Sequence, residues 1–321
     1  MYKNIIGIDI SKKSFHACEN SKVNIYENNS KGNLTFIKKL PSSSYCVMES
    51  TSTYGYNLAK DLIDNGHHVY IVNPVKIKYF IKMGLSKAKT DNIDAKQITK
   101  FAEMSIDTLT EYKFASDEIQ ECKQIITSLI QLKKQHTALL NQLEALIQQP
   151  QQNKLLIKSI QKIIKYLEYH IKLLEAEASK LIKKDNPQMV ENICSIKGIG
   201  ESTAILLISK TSGFESFENS KQLSSFFGCC PRIIESGTSV KGRSNISKIG
   251  HADVRTRLYM CALTASKHNR TCRDLYQRLL MSGKAKKVAL LAVVNKLIKQ
   301  IFAVAKNNVL FDDNFQNKLV F

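Results

Sequence analysis

The segment Ile5–Phe15 reads IIGIDISKKSF. Its opening residues have the apolar, β-branched character of a buried strand, yet an acid, Asp9, stands inside the run. Alternation along a strand puts Ile5, Gly7 and Asp9 on one face and Ile6, Ile8 and Ile10 on the other. A buried carboxylate is costly unless something pairs with it or binds it. The reason for Asp9 therefore has to come from elsewhere in the chain.

Around this strand the pattern is α/β as far as about Tyr112. KVNIYEN and YCVMES read as further strands, TYGYNLAKDLIDNG as a helix ending at Gly66, and HHVYIVNP as another strand. The segment Thr90–Met104 has helical periodicity, with Ile98, Phe101 and Ala102 on one face. Glu49 closes the third apolar run, and Asp91 and Asp94, three apart at a helix start, share a helix face. Each acid alone has an ordinary explanation: a turn cap for Asp9, a solvated strand end for Glu49, a capping pair for Asp91 and Asp94. Together they suggest more. A strand Asp, a later strand Glu and a helical Asp-x-x-Asp within one α/β domain follow the order by which an RNase H-like nuclease assembles its metal site. Clustered carboxylates repel one another and need a cation to hold them. Two Mg²⁺ ions, roughly 3.5–4 Å apart, can activate the attacking and leaving oxygens of a phosphodiester. Lys76, Lys78, Lys82, Lys87 and Lys89 lie near enough in sequence to attract a phosphate backbone.

The charge balance points the same way. Among 321 residues, 47 Lys and Arg face 28 Asp and Glu, a formal net charge of +19. Such an excess fits a polyanionic partner, nucleic acid first. No uninterrupted apolar span of membrane length is expected, and KKVALLAVVNKLIKQIFAVAKN, broken by Lys296 and Lys299, reads as a core helix. The N-terminal residues lack a signal-peptide pattern, so a cytoplasmic protein is expected. None of the eight cysteines forms a C-x-x-C pair, which argues against structural zinc. They read as small hydrophobes of a reducing compartment, the adjacent Cys229 and Cys230 included.

From about Asp117 to Lys184 two long amphipathic segments meet at QQPQQN. They predict a helical hairpin or coiled coil that spaces domains and dimerises. Beyond Asn186 the chain reads as mainly helical, with one interruption, PRIIESGTSVKGRSNISKIG. Gly198 and Gly200 in CSIKGIGESTAILLIS suit either a helix-hairpin-helix whose amides approach a DNA phosphate or a plain αα-turn. The interruption and the helix start that follows it read as a basic DNA-contacting segment, with Lys241, Arg243 and Lys248 in the loop and Arg255 and Arg257 near the helix start. One of its serines is a candidate nucleophile on phosphate. Spacing does not choose among serines 236, 239, 244 and 247.

Taken together, these motifs resemble the transposases of insertion-sequence family 110 and its 1111 branch, the DEDD transposases. GIDISK, MEST and KTDNIDA are similar to the family's RuvC-like domain, and SGTSVKGRSNISKIG to its C-terminal transposase domain. The resemblance spans nearly the whole chain. It implies metal ligation by Asp9, Glu49, Asp91 and Asp94, and a serine nucleophile at Ser236, with Ser239 the neighbouring alternative. It further implies a structured bridge RNA that selects donor and target DNA, and a site shared between subunits of a homodimer or homotetramer. Lys197 and the Cys229–Cys230 pair depart from the family's usual pattern without touching these positions. The expected fold is α/β plus all-α: an RNase H-like (RuvC-like) domain over 1–115, a coiled-coil hairpin over 116–185 and a mainly helical transposase domain over 186–321. The expected activity is RNA-guided, Mg²⁺-dependent DNA transposition or recombination. A RuvC-like junction resolvase that uses water, and a non-catalytic nucleic-acid-binding protein, are the alternatives.

Overall fold

The computed structural model describes residues 4–50, 53–83, 91–232, 235–236, 240–241 and 245–314. It divides into two compact units, Met1–Phe114 and Ala115–Phe321.

The first unit is α/β. Its elements run β1 (Ile5–Ile10), β2 (Ser14–Glu19), β3 (Lys22–Glu27), α1 (Ser30–Ile37), β4 (Tyr45–Glu49), α2 (Tyr56–Asp64), β5 (His68–Val72), α3 (Pro74–Met83) and α4 (Asp91–Ser105). The sheet order is β3-β2-β1-β4-β5. β1 to β3 form an antiparallel meander, whereas β4 lies parallel to β1 and β5 parallel to β4. β2 is an addition to the sequence-based expectation, which let the strand character lapse after the serine–lysine break. Those residues form a tight turn instead: the Ser11 N–H and hydroxyl both donate to the Ser14 carbonyl, at 2.9 and 2.7 Å. The chain therefore doubles back at once and SFHACE pairs with β1.

Both faces of the sheet are covered. Ile6, Ile8 and Ile10 are buried with Phe15, Phe36, Leu58 and Leu62 beneath α1 and α2. On the opposite face Val47 and Tyr70 are buried with Ile98, Phe101 and Ala102 of α4. Gly7 is what lets α4 settle there. A β-carbon on Gly7 would lie 2.3 Å from the Thr99 amide nitrogen and 2.7 Å from the Ala95 carbonyl oxygen. In the space this leaves, the Thr99 hydroxyl accepts the Gly7 N–H at 3.1 Å and lies 3.0 Å from the Ala95 carbonyl oxygen, to which it can donate.

The second unit is mainly helical. Two long helices, α5 (Asp117–Ile147) and α6 (Lys154–Asp185), form an antiparallel hairpin. The side chains of Ser116 and Asn153 cap their N-termini by accepting from the amides of Ile119 and Leu156. The Lys133–Glu175 ion pair and a hydrogen bond between His136 and Glu168 tie the two helices together. At the base of the hairpin, Ile119, Cys122, Ile126, Leu129, Ala178 and Ile182 are buried in one core with the helices that follow. Towards its tip, Leu140, Ile147, Leu155, Tyr166 and Tyr169 are exposed.

Those following helices are α7 (Pro187–Cys194), α8 (Glu201–Thr211), α9 (Ser220–Phe226), α10 (Ala252–His268), α11 (Arg270–Met281) and α12 (Lys286–Asn307). Among the described residues between α9 and α10 are four short strand pieces: β6 (Pro231–Arg232), β7 (Glu235–Ser236), β8 (Val240–Lys241) and β9 (Asn245–Ile246). β6 pairs with β9 and β7 with β8, both antiparallel. One expectation needs correcting. By length and composition α12 is apolar enough to cross a membrane, because its two interior lysines do not offset its aliphatic residues. Its Val293, Val294, Leu297, Ile298 and Ile301 are nonetheless fully or almost fully buried in the core of this unit, which is how a core helix behaves.

The substitution Gly7→Ala forces α4 off β1. It is expected to cost about 3 kcal/mol or more, read as a lowered midpoint in chemical denaturation. Thr99→Val keeps the volume but removes the acceptor for the Gly7 N–H, and is expected to cost about 1–3 kcal/mol.

Candidate active site

The register of β1 and β4 places the acids. Gly7 pairs with Val47 and Ile8 with Met48, so the next residues along the two parallel strands are Asp9 and Glu49. Residues level on adjacent parallel strands project to the same face, and for Gly7, Asp9, Val47 and Glu49 that is the face α4 covers. Asp9 and Glu49 are both half-buried. Along α4, Ala95 and Thr99 meet Gly7 in mid-strand, while the later turns pack with Ile5 and Tyr45 near the strand starts. The first turn of α4, with half-buried Asp94, is thereby directed to the strand ends that bear Asp9 and Glu49. Asp91 is the first residue of α4, but its side chain lies outside the described residues, as do Lys87 and Lys89 altogether.

Sequence reasoning passed over His16. It pairs with Asp9 across the antiparallel register and so stands on the same face. The signal was present in the SFHACE alternation but needed the hairpin turn to be recognised first. Among the described residues, no group of three or more His, Cys, Asp or Glu side chains is gathered closely enough to hold a metal ion. Asp9 and Glu49 stand level on adjacent strands, and Asp94 lies in the first turn of the helix that covers the same face.

The second group of site candidates lies in the helical unit. Ser236 belongs to β7 and pairs with Val240, and Glu235 pairs with Lys241. The side chains of Ser236 and Lys241, and residues Ser239, Ser244 and Arg243 altogether, lie outside the described residues. Sequence reasoning expected a loop here, whereas β6 to β9 pair in nested fashion, the mark of a two-stranded ribbon. The alternation in IIES and SVK was the available signal, obscured by the glycine and serines between them.

The base of this ribbon is held tightly. Gly228 and Gly250 both adopt positive φ, and a β-carbon on either would come within 2.4 Å of a backbone oxygen, that of Ile249 or Phe226 respectively. The Ser247 amide donates to the Cys230 carbonyl at 2.9 Å and the Lys248 amide to the Gly228 carbonyl at 3.2 Å. Asn295 of α12 donates to the Cys229 carbonyl and accepts from the Ser224 hydroxyl. Arg255, expected on DNA, reaches back to donate from Nη1 to the Phe227 carbonyl at 3.0 Å. Arg257 and Lys248 are exposed. His251 packs at a tilt against the Phe226 ring and is held below the ordinary histidine range, chiefly by burial and then by the charge of Lys210. Burial pushes the Cys229 thiol up to about 11, which leaves it unreactive, and all eight cysteines are free.

The two glycines of the α7–α8 turn play different parts. Gly198, at φ +107°, lies so close to α10 that a β-carbon would sit 2.9 Å from Ala265. Its want of a side chain therefore serves packing. Gly200 caps α8 and has nothing within 4 Å of where a β-carbon would stand, so that end of the helix is open to approach.

Comparison with known proteins bears on both units. Residues 6–150 match a family model described as a DEDD transposase of the IS110 type, and residues 190–277 a model described as transposase IS116/IS110/IS902 family. A pilin gene-inverting protein of Moraxella bovis is 28% identical over 97% of this chain and 98% of its own length. The transposase for insertion sequence element IS1111A of Coxiella burnetii is 24% identical, covering 94% of this chain and 89% of its own. The transposase for element IS1328 of Yersinia enterocolitica is 24% identical over 80% of this chain and 82% of its own.

The two arginines at the start of α10 are expected to separate in experiment. Arg255→Gln removes the donor to the Phe227 carbonyl and should lower unfolding stability by about 1–3 kcal/mol. Arg257→Gln should leave the urea midpoint nearly unchanged while weakening DNA binding in a salt-dependent way.

Proposed function

Since the chain belongs to the IS110 family of insertion-sequence transposases, we propose that it cleaves and rejoins DNA through a serine nucleophile aided by a carboxylate-held Mg²⁺ site, under RNA guidance. The observation that carries this reading is the placement of Asp9 and Glu49 at consecutive ends of adjacent parallel strands, with the first turn of α4 directed at them. The strand order and the helix α4 across this face fit an RNase H-like, RuvC-like domain over 1–115. The donor set is all carboxylate oxygen, which suits Mg²⁺. Asp9, Glu49, Asp94 and Asp91 are the residues that would hold it. When bound, the metal supplies charge neutralisation at the scissile phosphate.

The chain's own groups do the rest. The Ser236 oxygen attacks phosphorus as its proton passes to base or solvent. An Oγ–P bond forms, the bond to one deoxyribose oxygen breaks, and that oxygen leaves as a hydroxyl once protonated. Attack by a deoxyribose hydroxyl of another strand reverses the exchange and releases the serine, so no outside energy source is needed. The base of the ribbon that carries Ser236 is clamped between Gly228 and Gly250, and a nucleophile on an anchored element suits in-line attack. Lys241, Arg243, Lys248 and Arg257 supply positive charge around it, and Lys87 and Lys89 do so for the carboxylate domain.

A bridge RNA, selecting donor and target by base pairing, fits the net charge of +19, which exceeds what one short duplex site needs. The exposed apolar residues towards the tip of the α5–α6 hairpin suit a coiled-coil contact with a second copy over 116–185, giving a homodimer or homotetramer. On this reading the C-terminal domain, 186–321, carries the serine and works at the nucleoid.

The test is incubation of the full chain with element-flanking DNA, the flanking RNA and Mg²⁺. Wild type is expected to yield a covalent protein–DNA adduct, stable to denaturant, and recombined product. Ser236→Ala should lose both, and Asp9→Asn or chelation of Mg²⁺ should reduce product by at least about 100-fold. Omitting the RNA should abolish site selection. Normal recombination by Ser236→Ala, with no adduct in wild type, would assign the attack to water and overturn the serine mechanism.

A further inference from the structure

After α12 the chain turns at Asn308, a left-handed C-cap, and runs back over the helical unit. Residues 308–314 are fastened at several points to the turn between α7 and α8 and to the start of α11. Asn192 donates to the Asn308 side-chain oxygen at 2.9 Å, and the Phe311 amide to the Ser195 hydroxyl at 2.8 Å. Phe311 packs against the core. The next residues are acidic. Asp313 receives Lys197 Nζ on Oδ2 at 3.0 Å and the Arg270 amide on Oδ1 at 3.2 Å. Asn314 receives the Arg270 guanidinium on its side-chain oxygen and donates its own amide to Asp312.

Lys197 is the cation of the turn SIKGIG, the turn whose Gly200 end is open to approach. Its ammonium is more than half exposed, whereas the Asp313 carboxylate it holds is only about a fifth exposed. In a chain where basic residues far outnumber acidic ones, an acid of this segment, Asp313, is set on this turn. A carboxylate that accepts from an ammonium through one oxygen and from a backbone amide through the other presents what two non-bridging phosphate oxygens would present.

We infer that the segment Asn308–Asn314 is an autoinhibitory latch. Asp313 occupies the cation of the α7–α8 turn until a nucleic-acid phosphate displaces it, so the turn engages DNA only when the C-terminal segment lets go. The inference rests on the reading of the chain as a DNA-acting enzyme. Its consequence is that non-specific DNA binding through this turn is held down in the resting protein, and that displacement of the segment accompanies productive engagement.

The test uses full-length variants and fluorescence anisotropy with a labelled non-specific duplex across a range of salt. Asp313→Asn is expected to tighten binding about three- to tenfold near 0.1 M salt and to steepen the log–log salt slope by about one, the mark of one further phosphate contact. Lys197→Gln alone should change little, because the latch already engages that lysine. Combined with Asp313→Asn, it should abolish the gain in both affinity and slope. Glu144→Gln, an equal change in charge on the hairpin, should leave both unchanged. Thermal melts of each variant confirm folding, and Lys197→Arg should preserve wild-type behaviour.

If wild type binds duplex and Asp313→Asn matches it, the latch is wrong while the transposase reading stands. A gain that persists in the double variant, or appears equally in Glu144→Gln, reduces the effect to overall charge and overturns the latch. If no variant binds duplex at any salt concentration, the DNA-acting reading fails and the latch fails with it.

Discussion

The approach of α4 to β1 at Gly7 is the constraint on which the first unit depends. A helix normally stands off a sheet by the depth of the side chains between them, as close packing of the interior requires. At Gly7 there is no side chain, and the Thr99 hydroxyl reaches the strand's own backbone. That single contact sets both the height and the register of α4. The height brings the helix's first turn down to the level of the strand ends. The register also sets where Asp94 points, since a shift of one residue would rotate it by about 100° about the helix axis. A bulkier residue at position 7 would lift the helix and move every group it carries.

The second unit uses a comparable device at a different place. Between α9 and α10 the chain narrows to a ribbon too short to be stable alone. Its stability is borrowed from the base, where Gly228 and Gly250 allow backbone to meet backbone and where Arg255 and Asn295 hold the carbonyls of Phe227 and Cys229. Removing these polar groups would leave buried carbonyls unpartnered, the more expensive kind of loss. Arginine at position 255 therefore serves the fold as well as the field of positive charge around the ribbon. The buried face of α12 supplies the surface against which this arrangement is braced, which accounts for a hydropathy high enough to pass for a membrane span.

Charge works differently at the two ends of the molecule's chemistry. Around the strand ends, carboxylates of one sign are brought into proximity, an arrangement that is unfavourable until a cation joins them. At the α7–α8 turn a cation is exposed and a carboxylate from the chain's own end meets it. On the proposed reading, the first arrangement would favour a bound metal ion, and the second would compete with a phosphate. Both follow from placing like or unlike charges on elements whose positions are fixed by packing.

Much of this was legible in the amino-acid order alone. Period-two alternation was enough to put Asp9 on the face of Gly7, and the apolar run ending at Glu49 was enough to set that acid at a strand end. The long 3.6-residue periodicities announced α5 and α6, with the Pro150 region as the break between them. These features are local, and local sterics determine them. What the order of residues did not reveal depended on contacts distant in sequence. The second strand was hidden because the Ser11–Ser14 turn is recognisable only once SFHACE is seen paired with β1. The ribbon was hidden because its strands are short and gain their stability from helices elsewhere. The dual part of Arg255, the packing part of Gly198 and the meeting of Lys197 with Asp313, 116 residues apart, belong to tertiary structure alone. A side chain's partner is set by where packing carries distant segments, and no local propensity encodes that.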